Sequence, residues 1–119
     1  EEEFWRLQGD AWRALDALSA AERAYSTAIG RNKNFYLNHL SRGEIRYRQG
    51  KLTEGIKDIQ RSHSFLPTYK ASYHLGVAAF QIGDIEQAER YLQAASNDEG
   101  SIGSLARTEL MNLRLKFRP

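Results

Sequence analysis

Three histidines, His39, His63 and His74, are the side chains in this chain best suited to hold a metal or move a proton near neutral pH. A hydrolytic zinc would need two of them one helical turn apart, with a glutamate beside the first, as in HExxH. No such arrangement occurs, and no Asp/His cluster has zinc-ligand spacing. There is no cysteine, which removes disulfides and thiolate metal sites and leaves the compartment undecided. Phosphate chemistry would call for a glycine-rich loop, and neither GxGxxG nor GxxxxGK followed by Ser or Thr is present. A serine nucleophile would be expected on a GxSxG elbow, which is also missing. The residue types point away from catalysis, so the chain is expected to be non-enzymatic by itself, with no cofactor and no metal. Binding remains.

The elements that would carry a binding surface follow from length, charge and spacing. The 119 residues make about one domain with a real core. The 17 Lys+Arg against 15 Asp+Glu leave a net charge of +2, too small for the field that gathers nucleic acid despite a pI near 9.0. The longest apolar run, Leu75 to Phe80, is far shorter than the roughly 20 residues that span a bilayer. The chain opens on Glu1-Glu2-Glu3 without an initiator methionine, which reads as a piece of a longer or processed protein.

Its organisation is repetitive. In YHLGVAAFQIGDIEQAERYLQAAS, Gly76 sits inside a helical pattern, where glycine costs about 1 kcal/mol relative to alanine. Aligned on Gly9, Gly43 and Gly76, which lie 34 and 33 residues apart, the chain shows three more columns. Ala21, Gly55 and Ala88 are small; Tyr25, Ile59 and Leu92 are large; Ala28, Ser62 and Ala95 are small again. Gly50 and Gly83 follow seven residues after the leading glycine, where the first copy has Asp16. These columns predict stacked helical hairpins, with close helix contacts at the leading glycines and tight turns at Gly50-Lys51 and Gly83-Asp84.

Those residues resemble the tetratricopeptide repeat (TPR), a two-helix unit of about 34 residues. LGVAAFQIGDIEQAERYLQAA matches best, and RGEIRYRQGKLTEGIKDIQRSHSFLP ends with Pro67 in the expected place. The resemblance implies an all-α, right-handed α-solenoid of three TPR helical hairpins plus a C-terminal capping helix. It would be a single domain over 1–119, with repeats at about 2–34, 35–68 and 69–99 and a cap at about 101–117. Arg42 stands where Leu75 does, and Arg46 where Trp12 and Ala79 do, departures that bear on the packing of the second repeat's first helix. In the cap, Ile102, Leu105, Ala106, Leu110, Leu113 and Phe117 recur at helical spacing, and Ser101 or Ser104 is the expected N-cap. Its cations Arg107, Arg114, Lys116 and Arg118 read as a solvated face near a helix C-terminus.

In such repeats the first helices line a concave groove, so the resemblance implies where a protein or peptide would bind. Leu37, Leu40, Ser41, Glu44, Tyr47 and Arg48 share one helical face, matched by Lys70, Tyr73, His74, Val77, Phe80 and Gln81. With Arg6, Asp10 and Arg13 they would form a mixed aromatic, cationic and polar surface, of the composition that binding hot spots favour. The opposing reading is that Tyr47, Tyr73 and Phe80 simply pack on a neighbouring helix. Chaperone-binding members hold a C-terminal carboxylate in a clamp of Lys, Arg and Asn. Lys70 fits that pattern, but Asp10, Ser41 and His74 stand where stronger donors belong, which disfavours the clamp.

A narrower resemblance concerns RGEIRYRQG, SFLPTYKASYHLG, QIGDIEQAERYLQAA and GSLA. They are similar to the C-terminal repeat regions of bacterial HExxH zinc metallopeptidases related to the CAAX endopeptidases and to the protease that enhances outer-membrane assembly. This implies a catalytic domain upstream, a recruiting role for the repeats, and a periplasmic or cell-envelope home, with the cytoplasm as the alternative. A stand-alone adaptor and a self-associating solenoid are the other two expectations.

Overall fold

A computed structural model describes residues 1–117 and divides the chain into two compact units, Glu1–Leu66 and Pro67–Pro119. The first unit holds α1 (Glu2–Ala14), α2 (Leu18–Arg31), α3 (Tyr36–Arg48) and α4 (Leu52–Phe65). The second holds α5 (Tyr69–Gln81), α6 (Ile85–Ala95) and α7 (Ser101–Lys116). Among the described residues there is no strand, and no helix is long and apolar enough to cross a membrane. Arg118 lies outside the described residues.

Each pair α1–α2, α3–α4 and α5–α6 is a hairpin closed in the same way. The N–H groups of Ala17, Lys51 and Asp84 reach back to the carbonyls of Trp12, Arg46 and Ala79 at 2.9, 2.8 and 2.9 Å. Those of Asp16, Gly50 and Gly83 bond Arg13, Tyr47 and Phe80. This is a Schellman ending, which needs a left-handed residue. Gly50 (φ 84°) and Gly83 (φ 82°) supply it, and in the first hairpin Asp16 does so at φ 60°.

The repeat columns are the hairpin interiors. Ala21, Ala88, Tyr25, Ile59, Leu92, Ala28, Ser62 and Ala95 are all fully buried. Gly43 and Gly55 bring the backbones of α3 and α4 together: a Cβ on Gly43 would lie 2.9 Å from the Gly55 carbonyl oxygen. A Cβ on Gly9 would enter the Tyr25 ring, and one on Gly76 would lie 2.7 Å from Leu92 Cγ. Close approach therefore accounts for the glycine inside α5.

Arg42 and Arg46 are accommodated by an ionic cluster. Arg42 grips both oxygens of Asp58 on α4 at 2.9 Å and donates to the Ser26 hydroxyl on α2 at 3.2 Å. Arg46 donates to Glu22 at 2.7 Å and to Asp58 at 3.1 Å, and Lys51 closes the set on Glu22 at 2.9 Å. The second hairpin thus replaces part of an apolar contact with guanidinium–carboxylate pairs, of which Arg42–Asp58 is bidentate.

In the second unit, α7 packs on α6 and α5, and Ala106, Leu110 and Leu113 join Ala79, Ala88, Leu92 and Ala95 in one core. Its N-terminus differs from the sequence expectation. Gly100 is the N-cap residue, and Asp98 supplies the side-chain acceptor for the Gly103 N–H at 3.1 Å, in place of Ser101 or Ser104. Gly103 is buried because its Cα lies against the Asp98 carbonyl, leaving no room for a Cβ.

Candidate protein-binding surface

In the first unit the expected surface is a relay of paired charges across α1 and α3. Gly9 admits the Tyr25 ring against α1, and the Tyr25 hydroxyl donates to Asp10. Burial, then the Asp10 contact, push the phenol well above its ordinary value, so it stays a donor. Arg13 bonds Asp10 at 3.4 Å and reaches across to Glu44 on α3 at 3.5 Å. Arg6 lies over the Phe35 ring, 5.2 Å from its centroid, with Glu3 at 3.8 Å. Arg48 meets Asp16 at 2.7 Å and is still 49 % exposed. Tyr47 is half-buried on the same helix. Leu40 departs from the expectation: at 3 % exposure it belongs to the core and has no surface to offer a ligand, and Ser41 is buried beside it.

Tyr25 is the residue that sequence reasoning undervalued, having treated it only as a large apolar filler. The available signal was a tyrosine, where the other copies have Ile59 and Leu92, with a carboxylate directly after the glycine it packs on.

In the second unit, Lys70 is exposed, and Tyr73 and His74 are half-buried with ring centroids 5.6 Å apart. Tyr73, Val77 and Phe80 pack against the core that α6 and α7 build. Phe80 lies 6.0 Å from the Phe117 ring, and Lys116 Nζ stands 5.9 Å from the Phe80 centroid. Burial, then the nearby negative charge of Glu109 on α7, raise the Tyr73 phenol above its ordinary value. The packing alternative therefore holds for Tyr73 and Phe80, with Val77 packed in the same way, and all three stay only half-buried.

The cations of α7 differ from a purely solvated face. Arg107 donates to the Ser96 carbonyl at 2.7 Å, closing the end of α6, and Arg114 pairs with Glu89 at 3.7 Å. His39 donates through Nε2 to the Lys33 carbonyl at 2.7 Å and is buried, tying down the loop that leads into α3. Among the described residues no group of three or more His, Asp or Glu is placed to hold a metal ion.

No protein-family model matches the sequence, and no curated protein does. Solved structures do. The TPR2B domain of yeast Sti1, in its pHsp70 complex, superposes with a TM-score of 0.85 at 18 % identity, covering 97 % of both chains. The first TPR of Spaghetti (RPAP3), bound to the HSP90 peptide SRMEEVD, gives 0.87 at 14 % identity over 99 % of this chain and 94 % of that one. The Yersinia enterocolitica type III secretion chaperone SycD, with a peptide of the translocator YopD, gives 0.84 at 15 % over 96 % and 92 %. At these identities the likeness is one of fold: all-α, of the TPR solenoid type.

Proposed function

We propose that the chain is a non-catalytic scaffold that binds a protein or peptide segment through the first helices of its hairpins, as the recruiting part of a larger bacterial protein. The observation that carries this reading is the TPR fold, shared with domains whose solved structures contain a bound peptide. Arg6, Asp10, Arg13, Glu44, Tyr47 and Arg48 in the first unit, and Lys70, Tyr73, His74, Val77 and Phe80 in the second, are the proposed contacts. Leu40 is not among them. In the first unit each cation has a carboxylate beside it: Arg6 with Glu3, Arg13 with Asp10 and Glu44, Arg48 with Asp16. Such a surface suits a segment with its own mixed polar and aromatic groups, recognised by local hydrogen bonds and stacking more than by net charge.

The test is selection of peptides from a random displayed library on the intact chain, followed by affinity measurement for the enriched sequences. Arg48→Glu and Lys70→Glu are expected to weaken binding about tenfold or more, a loss of ~1.4 kcal/mol, with the unfolding midpoint nearly unchanged. Undiminished binding in both variants would sink the assignment.

The finer context we propose is a zinc metallopeptidase of the cell envelope, with its HExxH domain upstream. Support for it is the similarity of RGEIRYRQG, SFLPTYKASYHLG and QIGDIEQAERYLQAA to that group's repeat regions. Reading the coding sequence upstream of Glu1 tests it: an export signal and an HExxH helix are expected. A short upstream region without them would make the chain a stand-alone adaptor.

A further inference from the structure

The first two hairpins carry the same face twice, once covered and once bare. On α3, Ile45 is fully buried in a core with Ala21 and Tyr25 of α2. Arg42 meets Ser26 and Arg46 meets Glu22, both on α2. His39 is buried, with Nε2 on the carbonyl of Lys33 in the loop that joins α2 to α3. In the repeat alignment the counterparts of His39, Arg42, Ile45 and Arg46 on α1 are Trp5, Gln8, Ala11 and Trp12. Ala11 is exposed and Trp12 is 40 % exposed. Trp5, Gln8 and Trp12 line an open groove with Ala20, Arg23 and Thr27 of α2.

We infer that this groove seats one further helix of the same polypeptide, lying upstream of Glu1 and packed on α1 as α2 packs on α3. The second hairpin shows what closes such a face: the second helix of the hairpin before it. The path of the chain selects the same occupant over a separate molecule. α2 reaches α3 through the short loop 32–35, which runs beside His39, and chain entering α1 at Glu2 passes Trp5 at the same end of the helix. A helix tethered by so short a loop acts at an effective concentration on the order of millimolar, which a free partner or a second copy would have to match. α2 begins at Leu18 and α3 at Tyr36, so the covering helix would begin about 18 residues ahead of Glu2.

The counterparts also set the chemistry of the contact. Arg46 and Arg42 take a carboxylate and a hydroxyl from α2, and Trp12 and Gln8 stand in their places. The upstream helix should therefore present an apolar residue to Trp12, where α2 has Glu22, and a polar one to Gln8, where α2 has Ser26. Trp5, Gln8 and Trp12 are not among the proposed peptide contacts, so peptide binding and this docking can fail independently.

Trp5 and Trp12 are the only tryptophans of the chain, so its intrinsic fluorescence reads this groove. The experiment compares the 119-residue chain with the protein extended by its own ~40 preceding residues, about one hairpin, any tryptophan among them replaced by phenylalanine. In the extended protein, quenching by acrylamide is expected to fall about twofold, with emission shifted to the blue and a monomer by sedimentation velocity. Unchanged quenching overturns the inference. So does protection that appears only with dimer formation, because a second copy would then be the cover, and so does a coding sequence with fewer than about 15 residues ahead of Glu1. Trp5→Phe, a change that keeps an aromatic ring in place, leaves Trp12 as the single reporter at the counterpart of Arg46. Trp12 should gain the same protection on extension, and an unprotected Trp12 would overturn the packing register taken from α2 on α3.

Discussion

Asp16 occupies a left-handed backbone position, φ 60°, where the other two hairpins use Gly50 and Gly83. A side chain there costs roughly 1 kcal/mol, somewhat less for aspartate than for most residues. Its ion pair with Arg48 is exposed on both sides, and such pairs contribute between about 0 and 1 kcal/mol. Asp16→Gly is therefore expected to stabilise the chain by about 0.5 kcal/mol, raising the thermal midpoint by a few degrees. A fall in the midpoint would mean that the Arg48 contact outweighs the backbone strain. The substitution is visible in the repeat alignment as a missing glycine. The compensating partner is not, because Arg48 lies 32 residues away on another helix.

At the scale of elements, the glycines divide sharply by what their helices touch. In the second hairpin α3 and α4 meet backbone to backbone, so a methyl on Gly43 would press on the Gly55 carbonyl and on Ile59 Cγ1, 2.7 Å away. Gly30, near the end of α2, has nothing within 4 Å of such a methyl. Gly43→Ala is expected to cost about 2–4 kcal/mol and Gly30→Ala to add up to ~1 kcal/mol, both readable by urea unfolding. Equal effects would show that helix propensity, not close approach, sets the value of these glycines. The same hairpin is tied to α2 by Glu22. Burial would raise that carboxyl, but hydrogen bonds from Arg46, Lys51 and Gln49 outweigh it and bring it from an ordinary 4.5 down to about 2. Because the folded value is the lower one, Glu22 contributes its full stabilisation above about pH 4.5 and loses it as pH falls towards 2. Glu22→Gln should lower stability at neutral pH, where it leaves Arg46 under-paired, and flatten the decline between those two pH values. A decline as steep as in the unsubstituted chain would assign the acid sensitivity to other carboxylates.

For the whole molecule, charge decides what kind of ligand is excluded. The net charge is +2, and in the first unit the proposed contact surface pairs each cation with a carboxylate. An acidic C-terminal tail such as SRMEEVD, seen on the RPAP3 domain, should therefore bind weakly, with a dissociation constant near or above about 1 mM by calorimetry. Micromolar binding that Lys70→Ala abolishes would restore the clamp reading. The sequence by itself determined the hairpins, their turns and the buried columns, since the spacing of Gly9, Gly43 and Gly76 and of the small and large residues after them is a local, periodic constraint. It also carried the signs of exception at Asp16, Arg42 and Arg46. Only the tertiary structure decided that Arg42 and Arg46 find Asp58 and Glu22, that Tyr25 donates to Asp10, that Leu40 is core, and that Tyr73, Val77 and Phe80 turn one face to the core built by α6 and α7. Those outcomes depend on which side chains meet across helices far apart in sequence, and periodicity within one helix holds no information about what its neighbour presents.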